Sequence, residues 1–562
     1  MDISRSDFPS ARSTIEDAIA GADFIAIDAE FSGLYTGEDT KGHSLDGPDW
    51  RYHKLKQMAE TFSIIQFGLT AFHWRDSKPN SFGFLPPDIA SPSSSRPANN
   101  GPGSGLYAIG TQNPGGHGHY EAMPFNFYLF PTSVNGRAQP DMRLVCQNSA
   151  FDFLAKSHFN FNRWVYEGIP YMTPAQELRC RETCSPHVAE NLPDILIDER
   201  NRDFFHDVVH KLRAWLATDA RYINIVTANA YQKRLVFQEV RKLGDKLFAE
   251  GRSNFVHVVR ATPNELAQRQ KERLHNFEKD IDRARGFNHV IDMLIRHQKP
   301  LVGHNLLLDL CHLYNQFCEP LPPVLSEFKS QLHHLFPLII DTKTIAESAH
   351  ELRSFRENTS LEVLYDRLER MDGSRSPVVL GPRFSRYTGA HAHEAGYDAL
   401  MTGVVLIREL SVISAHPVNT HWKGQGRVDF RSALLLKYVN RLFLTNSELA
   451  VLDLVGTDVA PVKPNVFYVK TISPALRFDE YPQALGTTLG QYLLSPMGSD
   501  GCFITLDRIP PAVFQTIDDI TYLLKKYCAT KSQLIPWVGS VVPYDQFISQ
   551  YTTHALGGVV AE

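Results

Sequence analysis

The sequence predicts an α/β protein: one discontinuous α/β domain, a small basic α/β module inserted into it, and a small α+β domain behind it. Three observations carry this. Short apolar runs of buried-strand type (Phe24–Ile27, Phe62–Phe72, Phe125–Phe130) come early and return at Leu301-Val302 and Leu338–Ile340, with helical periodicity between them. Between the two sets, residues 211–300 carry 18 Lys and Arg against 10 Asp and Glu, in a chain whose net charge is −5. From about residue 446, strand-like runs at Val466–Val469 and Phe503–Leu506 precede a helix near 516–528.

The elements follow in order. Ile15–Ala20 reads as helix, and the two early strands follow it. Residues 77–119 (SPSSSRPANNGPGSG, NPGGHGH) are polar and rich in Gly, Pro and Ser, too poor in apolar surface to offset their ordering entropy. They are expected to be a disordered insertion, since the strand pattern resumes at once in FNFYLF. Residues 203–249 read as helix, a short extended piece at Tyr222–Val226, and a second helix. Phe287, Val290, Ile291, Leu294 and Ile295 fit the i, i+3, i+4, i+7, i+8 pattern of an amphipathic helix that Pro300 stops. Helices follow from about Asn305, near 359–369 and at 394–412. The expected boundaries are 1–168 and 261–440 for the two parts of the α/β domain, 170–260 for the inserted module, 446–540 for the small domain and 541–562 for a tail.

Composition excludes several classes. A length of 562 residues, 43% hydrophobic and 21% charged, suits three or four globular domains of roughly 150 residues each. The acidic balance argues against a protein that coats nucleic acid by bulk charge, while the basic block is either a phosphate-binding surface or a solvated helical face. The seven cysteines (146, 180, 184, 311, 318, 502, 528) are odd in number and scattered, as in a reducing compartment; Cys180 and Cys184 read as ordinary thiols. MDISRSDFPSARST has no apolar core, and no run, HALGGVVA (554–561) included, reaches the length of a membrane span. The expectation is an intracellular protein of the cytoplasm or nucleus with no membrane association.

Three carboxylate positions point to chemistry. Asp28 and Glu30 close the strand FIAI two residues apart, so both project from one face. Two like charges so close repel unless a cation sits between them, and hard oxygen ligands suit Mg2+ or Mn2+. Alone, D-x-E is a weak signal in a chain with 62 acidic residues. Asp309 stands among Leu306, Leu307, Leu308, Leu310 and Leu313, where an unpaired charge is costly. It needs a metal, a cation or a cage of hydrogen bonds. In HEAGYD, Asp398 shares a helical face with Met401 and Val405, and His393 would stand at the helix start as a general base. His391 is the neighbouring candidate; spacing favours His393.

The order of these signals, D-x-E at a strand end, Asp309 after G-H-N, and H-x4-D opening a late helix, resembles the DEDD exonuclease superfamily, DEDDh branch. The flanking text, FIAIDAEFSGL, RYHKLKQMAETFSIIQFGL, PFNFYLFP, EGIPY (167–171), KPLVGHNLLLDL, SEFKSQLHHLFPLIIDTK and HEAGYDALMTG, resembles poly(A)-specific ribonuclease and its small-RNA-trimming paralogues from about residue 1 to 410. The resemblance implies an RNase H-like nuclease domain interrupted by an Arg-x3-His-type nucleic-acid-binding module. It implies two Mg2+ ions, for which Mn2+ may substitute: Asp28, Glu30 and Asp398 on one, Asp28 and Asp309 on the second, with His393 deprotonating the attacking water. It further implies release of 5′-nucleoside monophosphates from single-stranded RNA 3′ ends.

By the same resemblance Phe31, Leu34, Phe127 and Asn305 line the pocket for the terminal nucleotides, and Lys343 meets the scissile region. Phe127 could equally be core, and Leu34 a turn residue. In the inserted module Arg234 keeps the signature arginine while Gln238 replaces the histidine. Residues 446–540 match a degenerate RRM-like sheet with NVFYVKTI as first strand; the sequence shows no aromatic cluster of the RRM type, and Trp537 lies late for a cap-stacking residue. The expected activity is a poly(A) deadenylase, with 3′ trimming of small-RNA precursors as the alternative and a protein partner that carries small RNA in that case. A homodimer is implied by the resemblance. A catalytically inactive RNA-binding protein is the reading of another class, opposed by the presence of all five catalytic positions.

Overall fold

The computed structural model describes residues 1–37, 40–76, 118–131, 142–186, 193–244, 246–371, 378–388, 391, 393–415, 427–458, 462–471, 476–497, 501–531 and 539–557. The polar insertion expected at 77–119 lies outside the described residues up to 117, and His119 already belongs to a strand.

The chain begins with a two-residue strand, β1 (Asp2–Ile3), and helix α1 (Phe8–Gly21), whose Ile15, Ala18 and Ile19 are buried. The next strand, β2 (Phe24–Phe31), is buried from Phe24 to Ile27, and a run apolar on both faces belongs in the middle of a covered sheet. Helix α2 (Pro48–Thr61) leads to β3 (Ile64–Arg75), antiparallel to β2 with Asp28 opposite Gly68 and Glu30 opposite Gln66. β4 (His119–Tyr128) pairs antiparallel with β3 and sets Asn126 opposite Gly68. Helix α3 (Asn148–Lys156) follows.

Residues Pro174–Gly286 form a compact unit of their own. Helix α4 (Arg202–Leu216), β5 (Tyr222–Val226), helix α5 (Ala230–Lys242), β6 (Leu247–Gly251), β7 (Phe255–Arg260) and helix α6 (Pro263–Arg285) build it. The three strands form an antiparallel sheet in the order β5-β7-β6. Its inner face (Ile225, Val256, Val258) packs on Val208, Leu212 and Trp215 of α4 and Val236 and Val240 of α5. Two sequence expectations are corrected here. Residues 247–249 are strand, not helix, and the unit ends at Gly286 rather than 260. α6 is strongly polar and buries only Ile281 and Ala284, so periodicity could not assign it to either neighbour. Ion pairs hold it in the module: Glu278 with Arg181 (2.7 Å) and Arg285 with Glu177 (3.1 Å).

After Gly286 come helix α7 (Asn288–His297), β8 (Leu301–Gly303), helix α8 (Leu307–Leu313), β9 (Ile339–Asp341), helix α9 (Thr342–Ser348), β10 (Val378–Leu380) and helix α10 (Ala395–Ala415). β8 runs parallel to β2, and β9 parallel to β8, which completes the sheet in the order β1-β4-β3-β2-β8-β9 with β10 also on β4. Counted from β2, the five central strands read 3-2-1-4-5 with the second antiparallel, the RNase H-like order. β8 pairs only with Ile25 and Ala26, so the acidic end of β2 runs past it with that edge uncovered.

A hairpin of β11 (Arg441–Phe443) and β12 (Val451–Asp453) precedes the last layer. There β13 (Val466–Thr471), helix α11 (Tyr481–Leu485), β14 (Tyr492–Met497), β15 (Gly501–Leu506), helix α12 (Val513–Lys531) and β16 (Gly539–Pro543) make a β-α-β-β-α-β unit with strand order β14-β15-β13-β16. The residues expected to be a tail from 541 instead complete β16 and form helix α13 (Tyr544–Gly557). The sheet also holds the aromatic cluster that the sequence hid: Tyr468 and Phe503 share a face, and Phe547 of α13 covers both at ring distances of 4.1 and 5.1 Å. Trp537 lies outside the described residues. No described helix is long and apolar enough to cross a membrane.

Phe547 is 1% exposed. Phe547→Ala is expected to cost about 3 kcal/mol and to speed proteolysis near residue 540, read by thermal melting and limited digestion. Unchanged melting and digestion would show that α13 does not hold this face.

Candidate active site

The register of β2 and β3 builds one side of the site. Asp28, Glu30, Gly68 and Gln66 all project from the same face, because paired residues share a face of the sheet. The N-terminus of α10 lies directly on it. Gln66 Oε1 accepts the N–H of Ala395 (2.9 Å) and Asn126 Oδ1 that of Gly396 (3.3 Å). A Cβ on Gly68 would stand 1.8 Å from the Ala395 carbonyl oxygen, so only glycine admits this approach. It brings Asp398, one turn into α10, to the two strand carboxylates. Oxygen atoms of Asp28, Glu30 and Asp398 lie within 4.8 Å of one another.

The other side comes from α8. Asp309 and His312 are three apart and share a helical face. The Asp309 carboxylate accepts the backbone N–H of Ala29, between the two strand acids, on the edge that β8 leaves open. The His312 ring lies 4.4 Å from that of Phe31, which a bulge after Glu30 re-aims. Asp341 sets the position of α8. This fully buried carboxylate accepts the N–H groups of Asn305 (2.9 Å), Leu306 (3.1 Å), Lys343 (3.0 Å) and Phe443 (2.9 Å), tying the β8–α8 turn to the start of α9 and to β11.

The electrostatics are those of acids crowded without a counter-charge. Burial first, then Asp309, raises the Asp28 pKa well above the carboxylate range. Burial raises Glu30, with Asp28, Asp398 and Asp309 adding to it, and burial and Asp28 raise Asp398. Asp309 is pushed up to about 8, chiefly by burial. Asp398 Oδ1 is buried without a hydrogen-bond partner among the described residues. Among the described residues, no Lys or Arg is one of the charges that shift these acids. The donor set is all oxygen and one oxygen of Asp398 is left without a partner, which fits a hard divalent cation.

The remaining expected residues are distributed as follows. His393 has φ +64° and an intermediate exposure; its backbone N–H meets the Asp398 carboxylate and its ring packs edge-on against Phe153 of α3 at 4.7 Å. His391 instead packs against Tyr387 and Tyr397. Leu34 is held by its N–H to Gln147 Oε1 (2.7 Å), beside Phe31. Asn305 has φ +60° and accepts from Thr445 Oγ1 (2.6 Å), and the Lys343 ammonium lies 5.3 Å over the Phe443 ring. One expectation fails. Phe127 is fully buried against Phe125 and Phe287, so it packs the core and offers no surface to a nucleotide. Arg234, half-buried, donates to the Pro193 carbonyl (2.9 Å), and Gln238 accepts the Ile195 N–H (2.9 Å), so both residues hold the 193–195 segment.

Residues 3–406 match the family described as CAF1 family ribonuclease. The chain belongs to that family. This ribonuclease is 29% identical to the Homo sapiens poly(A)-specific ribonuclease PARN over 538 residues, covering 90% of this chain and 76% of that one. It is 27% identical to the Mus musculus poly(A)-specific ribonuclease PNLDC1 (83% and 82% covered) and 26% identical to the Bombyx mori pre-piRNA 3′-exonuclease trimmer (96% and 97% covered).

Sequence reasoning missed the residues that position the ribonuclease's acids, Asp341, Gln66, Asn126 and Gly68, and His312, which packs against Phe31. Signals existed for two. Asp341 stands where a strand meets a helix, the place of an N-cap, and an isolated glycine inside the apolar run FSIIQFGLTAF marks a close backbone approach.

Gly68→Ala is expected to lower stability by about 2–3 kcal/mol in thermal unfolding, with activity falling further as α10 is displaced; a melting temperature like wild type would contradict the contact. The acids give a second expectation. With raised pKa values the folded metal-free chain holds protons that the unfolded chain has lost, so its stability falls as pH rises from about 5 to 8. Asp28→Asn should flatten that slope and raise metal-free stability at pH 8 by on the order of 1–2 kcal/mol. Mg2+ should stabilise wild type more at pH 8 than at pH 5.5. Equal slopes for the two proteins would remove the repulsion argument.

Proposed function

We propose that this chain, an exoribonuclease working from the 3′ end, is a metal-dependent deadenylase-type enzyme that shortens single-stranded poly(A)-like tails and releases 5′-nucleoside monophosphates. The observation that supports it best is the gathering of Asp28, Glu30 and Asp398 with Asp309 beside them and, among the described residues, no cationic side chain that balances them. These residues would hold Mg2+, with Mn2+ able to substitute: the first three one ion, Asp28 and Asp309 a second. When bound, such ions supply Lewis-acid stabilisation of charge on the phosphoryl and leaving oxygens.

The chain's own residues do the rest. His393 accepts the proton of the attacking water, and Phe153 limits the swing of its ring. Phe31 offers an aromatic edge to the terminal base, with Leu34 beside it on a segment that Gln147 stiffens. Lys343 faces the phosphate, and the Asn305 amide orients the sugar or base. Small-RNA 3′ trimming is the second reading, favoured by the 97% coverage of the Bombyx mori trimmer. A homodimer, and in the trimming case a partner that presents the small RNA, belong to these readings.

Two 5′-labelled RNAs, one ending in oligo(A) and one in mixed sequence, decide between them. Stepwise shortening confined to oligo(A), abolished by EDTA and by Asp28→Ala and slowed about 10²–10⁴-fold by His393→Ala, is the expected outcome. Equal shortening of both tails would establish the trimmer. Failure to shorten either, with RNA still bound, would leave a catalytically inactive RNA-binding protein.

A further inference from the structure

The three-stranded sheet of the inserted module has one closed face and one open face. Along the open face, Tyr222, Val259 and Phe248 form one cross-strand row, Asn224, His257 and Glu250 the next, and Val226 stands opposite Phe255. Tyr222 is 58% and Val226 73% exposed. The Tyr222 and His257 rings are 5.2 Å apart, and Asn224 Oδ1 lies 2.7 Å from His257 Nδ1, which fixes the imidazole beside the phenol. The outward face of an antiparallel sheet in a soluble module is ordinarily polar, so the exposed Tyr222 and Val226 and the half-buried His257 and Phe255 are surface kept for contact, while Val259 is buried and Phe248 half-buried under two arginines.

The charges around this face are mainly positive. The guanidinium groups of Arg269 and Arg273 lie over the Phe248 ring at 4.6 and 5.9 Å. Arg221 and Arg252 flank the strands, 70% and 54% exposed, in surface ion pairs with Glu265 and Glu250. Such pairs are weak and exchange readily for phosphate. By contrast Arg234 and Gln238, at the signature position, are engaged with Pro193 and Ile195.

We propose that the open β5-β7-β6 face binds single-stranded RNA, with bases stacked on Tyr222 and His257 and phosphates met by Arg221, Arg252, Arg269 and Arg273. Aromatic side chains on an exposed sheet, rimmed by arginine, match this ligand because every base offers a π-face and every linkage a negative charge. The proposal rests on the reading of the chain as an enzyme of single-stranded RNA, and it moves the module's RNA contact from the Arg234 position to the sheet.

The test uses the full chain in EDTA, so that no RNA is cut, with fluorescein-labelled oligo(A) of about 20 nucleotides, longer than one module's site. Fluorescence anisotropy gives Kd. The double variant Tyr222→Ala/His257→Ala is expected to weaken binding by about tenfold or more, and Tyr222→Phe to keep it. Val226→Glu, which adds an anion at a 73% exposed position, should also weaken it. Circular dichroism and melting should match wild type for all three. Wild-type affinity in both the double variant and Val226→Glu would overturn the proposal alone. Failure of the wild-type chain to bind any single-stranded RNA would overturn the reading under Proposed function as well.

Discussion

One buried carboxylate with four backbone donors organises the catalytic half of this molecule. Asp341 is fully buried and forms no salt bridge among the described residues, yet Asn305, Leu306, Lys343 and Phe443 each direct an N–H at it. Burial raises the Asp341 pKa above the usual carboxylate value, and each of the four donors works against that rise by favouring the ionised form. The turn into α8, the first turn of α9 and the edge of β11 are thereby fixed to one point. Asp309 and His312 inherit their positions from that turn, and with them the open edge of β2 is filled.

The acids on the other side are held by a different device. There the backbone of α10 comes so close to β3 that a single Cβ at Gly68 would collide with it, and two buried amides, Gln66 and Asn126, accept its first free N–H groups. Helix α10 is buried nearly all round, from Ala395 to Ile407. The hydrophobic packing of that helix therefore pushes Asp398 toward Asp28 and Glu30 against their mutual repulsion. Local instability at such a site is the ordinary companion of chemistry: the fold holds together charges that would separate if free, and the binding of a cation then becomes favourable.

Two small sheets show how similar surfaces take opposite roles. In the last layer the aromatic face, Tyr468 and Phe503, is closed by Phe547 and Tyr544 of α13 and by Leu45, and Tyr544 hydrogen-bonds the Leu45 carbonyl (2.7 Å). That face serves attachment. In the inserted module the corresponding face stays partly open, with Tyr222 58% exposed and His257 half-buried beside it. What separates the two is one additional amphipathic helix, and a single strand pattern does not reveal whether such a helix will come back to cover it.

Much was legible from the residues alone. The strands at 24–27, 301–302 and 338–340, the helices around 290 and 400, and the split of the α/β domain follow from periodicity, because burial imposes periods of 2 and 3.6 on any chain that forms such layers. The four acids were legible too, since a carboxylate among leucines or two apart on a strand needs an explanation. What only tertiary structure decided was which polar residues hold those acids, and which aromatic rings are core or surface. Phe127 and Tyr222 look alike as strand aromatics, yet one is fully buried and the other 58% exposed. Arg234 carries a binding signature but clamps its own chain. These outcomes depend on what packs on the far side of a strand or helix, and that neighbour comes from distant sequence whose approach no local pattern encodes.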